Sequence, residues 1–261
     1  MKNTILLTCA VIVTLTACKK DKTEPHNQAV ISKTEPKQFQ HGKTWTWYQT
    51  DANGDPMRLA VAIDDAAMNS LDTSTPGGAG HHHENSLSLQ LPSGTTNTPF
   101  THILLDWNPK GHEPEMIYGK PHFDFHFYMS TEAERLAIPP YEVDSSKFLV
   151  PIPSGFLPAN YFAIPGGVPL MGSHCVDVTS PELNGAPFTQ TFIYGSYNGK
   201  VTFYEPMMTG DFVKNNTNFE RAIPQPVKFQ KTGWYPTKMR LAKENGVTNI
   251  IIEGFKKQQG S

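Results

Sequence analysis

One short segment of the chain concentrates side chains that could bind a metal. Residues 122–128 alternate in character, so His122, Asp124 and His126 share one face of a predicted strand and three phenylalanines share the other. The phenylalanine face is predicted to lie in the core. The opposite face presents imidazole and carboxylate groups, which suit Zn, Mn, Fe or Cu. We therefore predict a divalent transition-metal site, with a metal-free hydrogen-bond network as the alternative.

Strand geometry limits how these residues can share an ion. Alternate residues on a strand are about 6.6 Å apart, so His122 and His126 lie roughly 13 Å apart. A histidine reaches a metal about 6 Å from its own Cα atom, so both bind one ion only if the strand bends. Asp124 with one histidine is the easier pair. Asp124 could instead hold the second ring nitrogen of a ligand histidine.

Further ligands must come from other segments. His112 and Glu115 precede the strand, and His174 lies in the motif MGSHCVD. Cys175 points away from His174 if that segment is extended, so the two are not expected to bind one ion together. The predicted metal ligands are His122, Asp124, His126, His112 and His174, with Glu115 and Glu205 in a second tier.

The strongest local signal is a hairpin that carries one of these second-tier ligands. Asn198-Gly199 joins two apolar strands, and this pair favours a two-residue type I′ turn. Such a turn pairs Tyr194 with Phe203 and places Glu205 on the same, core-facing side. A buried carboxylate needs a partner. The alternative is that Glu205 lies solvated at the strand end.

A second histidine cluster occupies residues 81–84, which read His-His-His-Glu after a glycine-rich stretch. This composition is typical of a mobile loop that could bind metal adventitiously. The cluster is internal, so it is not interpreted as an expression tag.

The remaining pattern predicts a mainly β fold. The chain has 22 prolines, 20 glycines and 11% aromatic residues, which suit many short strands joined by tight turns. Long amphipathic helices, a glycine-rich phosphate loop and a Gly-x-Ser-x-Gly motif are absent from the sequence. We predict an antiparallel β-sandwich or barrel-like domain with a few short helices.

The N-terminus predicts export and lipidation. Lys2 precedes an apolar run over residues 5–15, which is too short to span a bilayer but has the layout of a secretory signal. Leu-Thr-Ala then precedes Cys18, as in the lipobox of bacterial lipoproteins. We predict a signal peptide over residues 1–17 and a palmitate-type anchor on Cys18, in the outer membrane of the cell envelope. The alternative is an ordinary signal peptide with a stray cysteine.

The predicted organisation follows from composition. Residues 18–40 are polar and are predicted to be the lipidated Cys18 and a disordered tether, followed by a single β domain over residues 41–261. Cys175 is then alone, so the mature chain has no intramolecular disulfide. With 22 Lys+Arg against 24 Asp+Glu and no basic stripe, nucleic acid is not an expected partner. The expected partners are the membrane, through the lipid, and a second copy of the chain in a homo-oligomer.

Three blocks of sequence resemble a known family. WNPKGHEPEMIYGKPHFDFHFY, MGSHCVD and SPELNGAPFTQTFIYGSYNGKVTFYEPM are similar to a bacterial family of secreted proteins and lipoproteins classed as a domain of unknown function (TTHB-like). The resemblance runs from about Thr44 to at least Met208. It implies an all-β fold and an envelope location, and it brings no established reaction. Cys175 stands where the family pattern has a tryptophan.

Two functions are compatible with these residues. The first is a membrane-tethered binding module that holds a metal or small ligand. The second is an envelope metalloenzyme of hydrolase or hydratase type, in which a metal activates water and His or Glu acts as general base. An enzyme should have a concave site with an open coordination position. No motif indicates a nucleophile or a reaction, which favours the binding module.

Overall fold

The computed structural model describes residues 29–73 and 86–261. The predicted signal peptide, the predicted anchor Cys18 and the histidine cluster at residues 81–84 lie outside the described residues.

The described residues form two antiparallel sheets of seven strands each, and a shared apolar core joins them. The first sheet contains β1 (Val30–Lys33), β2 (Lys37–Phe39), β3 (Gly42–Thr50), β4 (Pro56–Asp64), β12 (Asn218–Ala222), β14 (Lys238–Glu244) and β15 (Val247–Glu253). The second contains β5 (Ser86–Gln90), β6 (His102–Asn108), β7 (His122–Tyr128), β8 (Tyr161–Ala163), β9 (Ser173–Asp177), β10 (Gln190–Tyr197) and β11 (Lys200–Thr209). The remaining strands are β13 (Gly233–Tyr235) and β16 (Lys256–Gln258), which pair with each other.

The strand order fixes which residues can meet. It is β1-β3-β4-β15-β14-β12 in the first sheet, with β2 beside β3, and β5-β6-β7-β11-β10-β9-β8 in the second. The short helices are α1 (Asp65–Met68), α2 (Glu115–Tyr118), α3 (Glu132–Leu136), α4 (Tyr141–Phe148) and α5 (Gly210–Asn215).

The prediction of a mainly β, antiparallel fold with short helices is confirmed, in its sandwich form. Within the described ranges, no helix has the length and apolar character needed to cross a bilayer.

The core between the sheets is largely aromatic and branched. Phe123, Phe125 and Phe127 on one face of β7 are at most 1% exposed and belong to the same apolar cluster as Val61 of β4 and Ile250 of β15. Burying one such side chain contributes about 1.5–3 kcal/mol. The prediction that the phenylalanine face lies in the core is therefore confirmed.

Loops and the short helix α2 cover the opposite face of the second sheet. Tyr118 and Phe188 pack on Met207 of β11, and Met171 packs in a second small cluster with Tyr128 of β7. As a result β7, which lies between β6 and β11, is buried on both faces. The polar row on β7 therefore lies beneath a cover and does not face open solvent.

The hairpin has its predicted turn but a different register. Asn198 and Gly199 both have positive φ, as a type I′ turn requires. A β-bulge then shifts the pairing, so that Gly195 lies opposite Phe203 and Tyr194 opposite Tyr204. The predicted pairing of Tyr194 with Phe203 is wrong because one extra residue is inserted in β11.

The bulge has a packing reason and a functional consequence. A Cβ atom on Gly195 would overlap the Phe203 ring, so the ring lies against a glycine that leaves room for it. Beyond the bulge every side chain of β11 changes face relative to its predicted partner. Glu205 consequently lies on the covered polar face and not in the core between the sheets. It is fully buried, so the solvated alternative is excluded as well.

Described β structure extends N-terminal to the predicted domain boundary. β1 and β2 lie within residues 18–40, which were expected to form a disordered tether. Val30 pairs with Thr50, and Lys37 pairs with Thr44, so both strands add to β3 through backbone hydrogen bonds. Their side chains are mostly exposed, so these strands tolerate the polar residues that predicted a disordered segment. The described β structure therefore starts at Val30 and not at residue 41.

Candidate metal centre

The polar row of β7 occupies the middle of the second sheet. His122, Asp124 and His126 are all 0% exposed. On one side β6 pairs residue for residue with β7, and Asp106 lies opposite Asp124. On the other side, β11 pairs Tyr204 with Phe127, so the register brings Glu205 next to His126. Three strands therefore supply buried polar groups to one patch of the covered face.

The first triad consists of His112, His122 and Asp124. One potential ligand atom from each residue lies within 4.8 Å of the other two. The Nε2 atom of His122 is 3.2 Å from Oδ1 of Asp124, and the Nε2 atom of His112 is 3.4 Å from Oδ2. His112 comes from the loop between β6 and α2, which folds back over the sheet.

The second triad consists of His126, His174 and Glu205. Its potential ligand atoms also lie within 4.8 Å of one another. The Nε2 atom of His126 is 3.4 Å from Oε1 of Glu205, and the Nε2 atom of His174 is 3.7 Å from Oε2. His174 lies on β9, opposite Gly195 of β10, and its ring centroid is 5.3 Å from that of Phe203, whose ring occupies the space beside this glycine.

Backbone carbonyls orient both histidines of the first triad. The Nδ1–H of His122 donates to the carbonyl oxygen of Lys120 at 2.6 Å, and that of His112 donates to the carbonyl oxygen of Glu113 at 2.8 Å. A carbonyl can only accept, so each bond assigns the proton to Nδ1. Nε2 then faces Asp124. In the protonated ring it donates to the carboxylate, and in the neutral ring it carries the lone pair that a metal would bind.

Two polar side chains of β6 contact the other triad residues of β7, His126 and Asp124. The Nδ1 atom of His126 is 3.0 Å from Oδ2 of Asp106, and Ser86 donates a hydrogen bond to the other oxygen of Asp106. Asn108 donates to Oδ2 of Asp124 at 2.7 Å. Asp106 and Asn108 were not among the predicted site residues. The sequence shows them as alternate polar residues of β6, but only the structure gives their register against β7.

Burial and charge set the protonation states of the first triad. Burial alone would raise the pKa of Asp124, but the charge of His122 and hydrogen bonds from His112 and His122 lower it well below its usual range. Burial would lower the pKa of His112, yet the hydrogen bond and charge of Asp124 raise it. Without a metal, the ionised carboxylate of Asp124 and the protonated imidazole of His112 therefore stabilise each other.

The second triad holds its protons differently. Burial raises the pKa of Glu205 to about 8, against the opposing charge of His126. Burial disfavours charge on His126, but Glu205 and Asp106 outweigh it and raise its pKa to about 9. Burial, with the charges of His126 and His112, lowers the pKa of His174 to about 3. His174 is therefore a neutral imidazole, the form that binds a metal.

One buried carboxyl group has ion-pair contacts but no hydrogen-bond donor among the described residues. Glu205 is 0% exposed, and among the described residues none donates a hydrogen bond to either of its oxygens. The nearest nitrogens are those of His126 and His174, at 3.4 and 3.7 Å. A buried carboxylate without hydrogen bonds is costly. A cation between these atoms would satisfy the oxygens and the imidazole lone pairs together.

The structure brings together most of the predicted ligands. All five first-tier residues and Glu205 fall into the two triads. His122 and His126 belong to different triads, as expected for an unbent strand. Glu115 belongs to neither, because it is exposed on α2 while Tyr118 of the same helix packs inward. Cys175 points into the core between the sheets, away from His174, and its thiol lies 3.6 Å from the hydroxyl of Ser196.

Comparisons of the chain with protein-family models, with curated proteins and with solved structures find no match. The resemblance to the TTHB-like family stays a prediction. The functional conclusion therefore rests on the geometry of the two triads.

Proposed function

We propose that this protein is an envelope lipoprotein whose β-sandwich binds a divalent transition metal in the two buried triads. The N-terminal sequence up to Cys18 supports the lipid anchor and the outer-membrane location. The triads support the metal. Imidazole with carboxylate is a ligand set for Zn, Mn, Fe or Cu.

The burial of Glu205 without a hydrogen-bond donor is the observation that favours a metal over a metal-free network. A network that had evolved to order loops would satisfy its buried oxygens with donors, since most buried polar side-chain atoms in proteins are hydrogen-bonded. Here two imidazole nitrogens face the oxygens at 3.4 and 3.7 Å. Two ligand atoms of one ion have a similar separation from each other. Each lies about 2 Å from the ion, so the two ligand atoms are farther than 2 Å from each other.

The closed surroundings of the triads favour binding over catalysis. All six side chains are at most 7% exposed. A catalytic metal needs an open coordination position and a concave site. A cavity of about 530 Å³ lies beside Trp107, Lys120 and Thr209, but no triad residue lines it. The metalloenzyme alternative is tested by assaying the metal-loaded protein on a panel of hydrolase substrates.

Metal is expected to stabilise the purified protein against heat. A hundredfold excess over Kd contributes about 2.7 kcal/mol, or roughly 5–10 °C in Tm for a chain of this size. The shift on adding Zn²⁺, Mn²⁺ or Cu²⁺ should be lost largely in Asp124→Ala and in His126→Ala. Glu115→Ala, which removes an exposed carboxylate outside the triads, should keep it.

Two outcomes of this melting experiment contradict the proposal. If the protein purifies without metal and no divalent ion shifts its melting, the triads are only a hydrogen-bond network. If replacing the three histidines at residues 81–83 by alanine removes the shift while the triad variants retain it, the metal binds at the other cluster.

Lipidation is tested independently of the metal. Cys18→Ala removes the sulfur that would carry the acyl chain, so the variant should move from the membrane to the soluble fraction. It should also lose label from a radioactive fatty acid. Since one acyl chain gives only marginal attachment, the multiply acylated wild type should stay firmly bound. A variant that still fractionates with membranes, together with an unlabelled wild type, would show that Cys18 is not the anchor.

A further inference from the structure

We propose that the two triads bind two ions at once, one in each, as a pair of neighbouring but unbridged metals. This inference rests on the proposed metal-binding function and specifies its stoichiometry and arrangement.

The two ligand sets are separate. In the first triad, Oδ1 of Asp124 faces His122 at 3.2 Å and Oδ2 faces His112 at 3.4 Å. Asp124 thereby faces both histidines of its own triad, and its Oδ2 atom also accepts a hydrogen bond from Asn108. In the second triad the two oxygens of Glu205 face one histidine each. Each triad therefore has its own carboxylate and its own two imidazoles, and no ligand is left to be shared.

The spacing along β7 places the two sites close together. Asp124 and His126 are alternate residues on one face of a strand, about 6.6 Å apart. Ions bridged by one carboxylate in two-metal enzymes are about 3.5–4 Å apart. The spacing of the two Cα atoms is longer than that, and each triad has three ligands of its own, so the expected arrangement is two adjacent ions without a bridging carboxylate.

The surrounding charge permits a second ion but makes it bind more weakly. Asp106, Asp124 and Glu205 are buried carboxylates on this patch. Together they carry three negative charges when ionised, so one divalent ion leaves one negative charge and two ions leave one positive charge. Two divalent ions at this distance repel each other. The second triad, where Asp106 backs His126 at 3.0 Å, is therefore expected to fill first.

Counting bound Zn²⁺ in matched variants tests this arrangement. Metal-free protein is titrated with Zn²⁺ and its metal content is measured after removal of free ion. We expect two ions per chain in the wild type and in Glu115→Ala, bound in two steps. We expect one in His122→Ala, with the weaker step lost. One is also expected in His174→Ala, with the tighter step lost.

Other stoichiometries overturn the inference in distinguishable ways. One ion per chain that disappears in both variants would show a single shared site, and the proposed metal binding would stand. No bound ion in any form would overturn the proposed function as well. Because a variant could fail to fold, electron paramagnetic resonance of wild-type protein saturated with Mn²⁺ gives a second measure. A spectrum broadened by dipolar coupling between near neighbours is expected, and the spectrum of an isolated ion would contradict the pair.

Discussion

Replacing Phe125 by alanine is expected to lower the free energy of unfolding by about 3–5 kcal/mol. Phe125 is 1% exposed and lies at the centre of the phenylalanine face of β7, in the cluster that joins the two sheets. The change removes buried apolar surface and leaves a cavity that the surrounding strands fill only partly. A loss of this size is a large fraction of the 5–15 kcal/mol typical of a folded domain.

Denaturant unfolding of the full chain measures this effect, and a second phenylalanine provides the matched control. Phe162 on β8 is 58% exposed, so Phe162→Ala is expected to change the stability by no more than about 0.5 kcal/mol. Equal losses in the two variants would contradict the packing described for β7. The same would follow from a loss below about 1 kcal/mol for Phe125→Ala.

Metal affinity is expected to rise with pH up to about pH 9, the raised pKa of His126, which is well above the range of an ordinary histidine. The metal-free second triad carries a proton on His126, whose pKa is raised to about 9, or on Glu205, whose pKa is raised to about 8. Bound metal requires both groups to be deprotonated, so the proton is present only in the metal-free state and acid favours that state. With at least one proton displaced, lowering the pH from about 8 to about 6 should weaken binding about 100-fold.

Zn²⁺ titrations at several pH values check this dependence, and the proton released into buffer can be counted by calorimetry. A site built from histidines with the ordinary pKa near 6.5 would have an affinity that levels off above about pH 7. A curve that levels off there, with no proton released at pH 7.5, would contradict binding at the triads.

The site face of β7 could be predicted from sequence because it depends on local alternation alone. A period of two separates the phenylalanines from the row of His122, Asp124 and His126 wherever the strand lies in the sheet. The same spacing places His122 and His126 too far apart for one ion. Pairing of β7 with β6 was not predictable in register, which is why Asp106 was missed although it lies one strand away.

Other features depended on contacts that a single sequence does not display. The bulge in the hairpin arises where the Phe203 ring lies against Gly195, and this tertiary contact moves Glu205 to the metal face. β1 and β2 pair at the edge of a sheet through backbone groups, so their side-chain composition carries little signal. Glu115 was grouped with His112 by proximity along the chain, but the helical turn of α2 leaves it exposed.

Diffraction from crystals grown with Zn²⁺, recorded at the zinc absorption edge, tests the central claim most directly. We predict anomalous peaks inside both triads, each about 2.0–2.2 Å from two imidazole nitrogens and one carboxylate oxygen. In the second triad those atoms belong to His126, His174 and Glu205. Anomalous peaks found only elsewhere on the molecule, with both triads unchanged at a saturating concentration of Zn²⁺, would contradict the account.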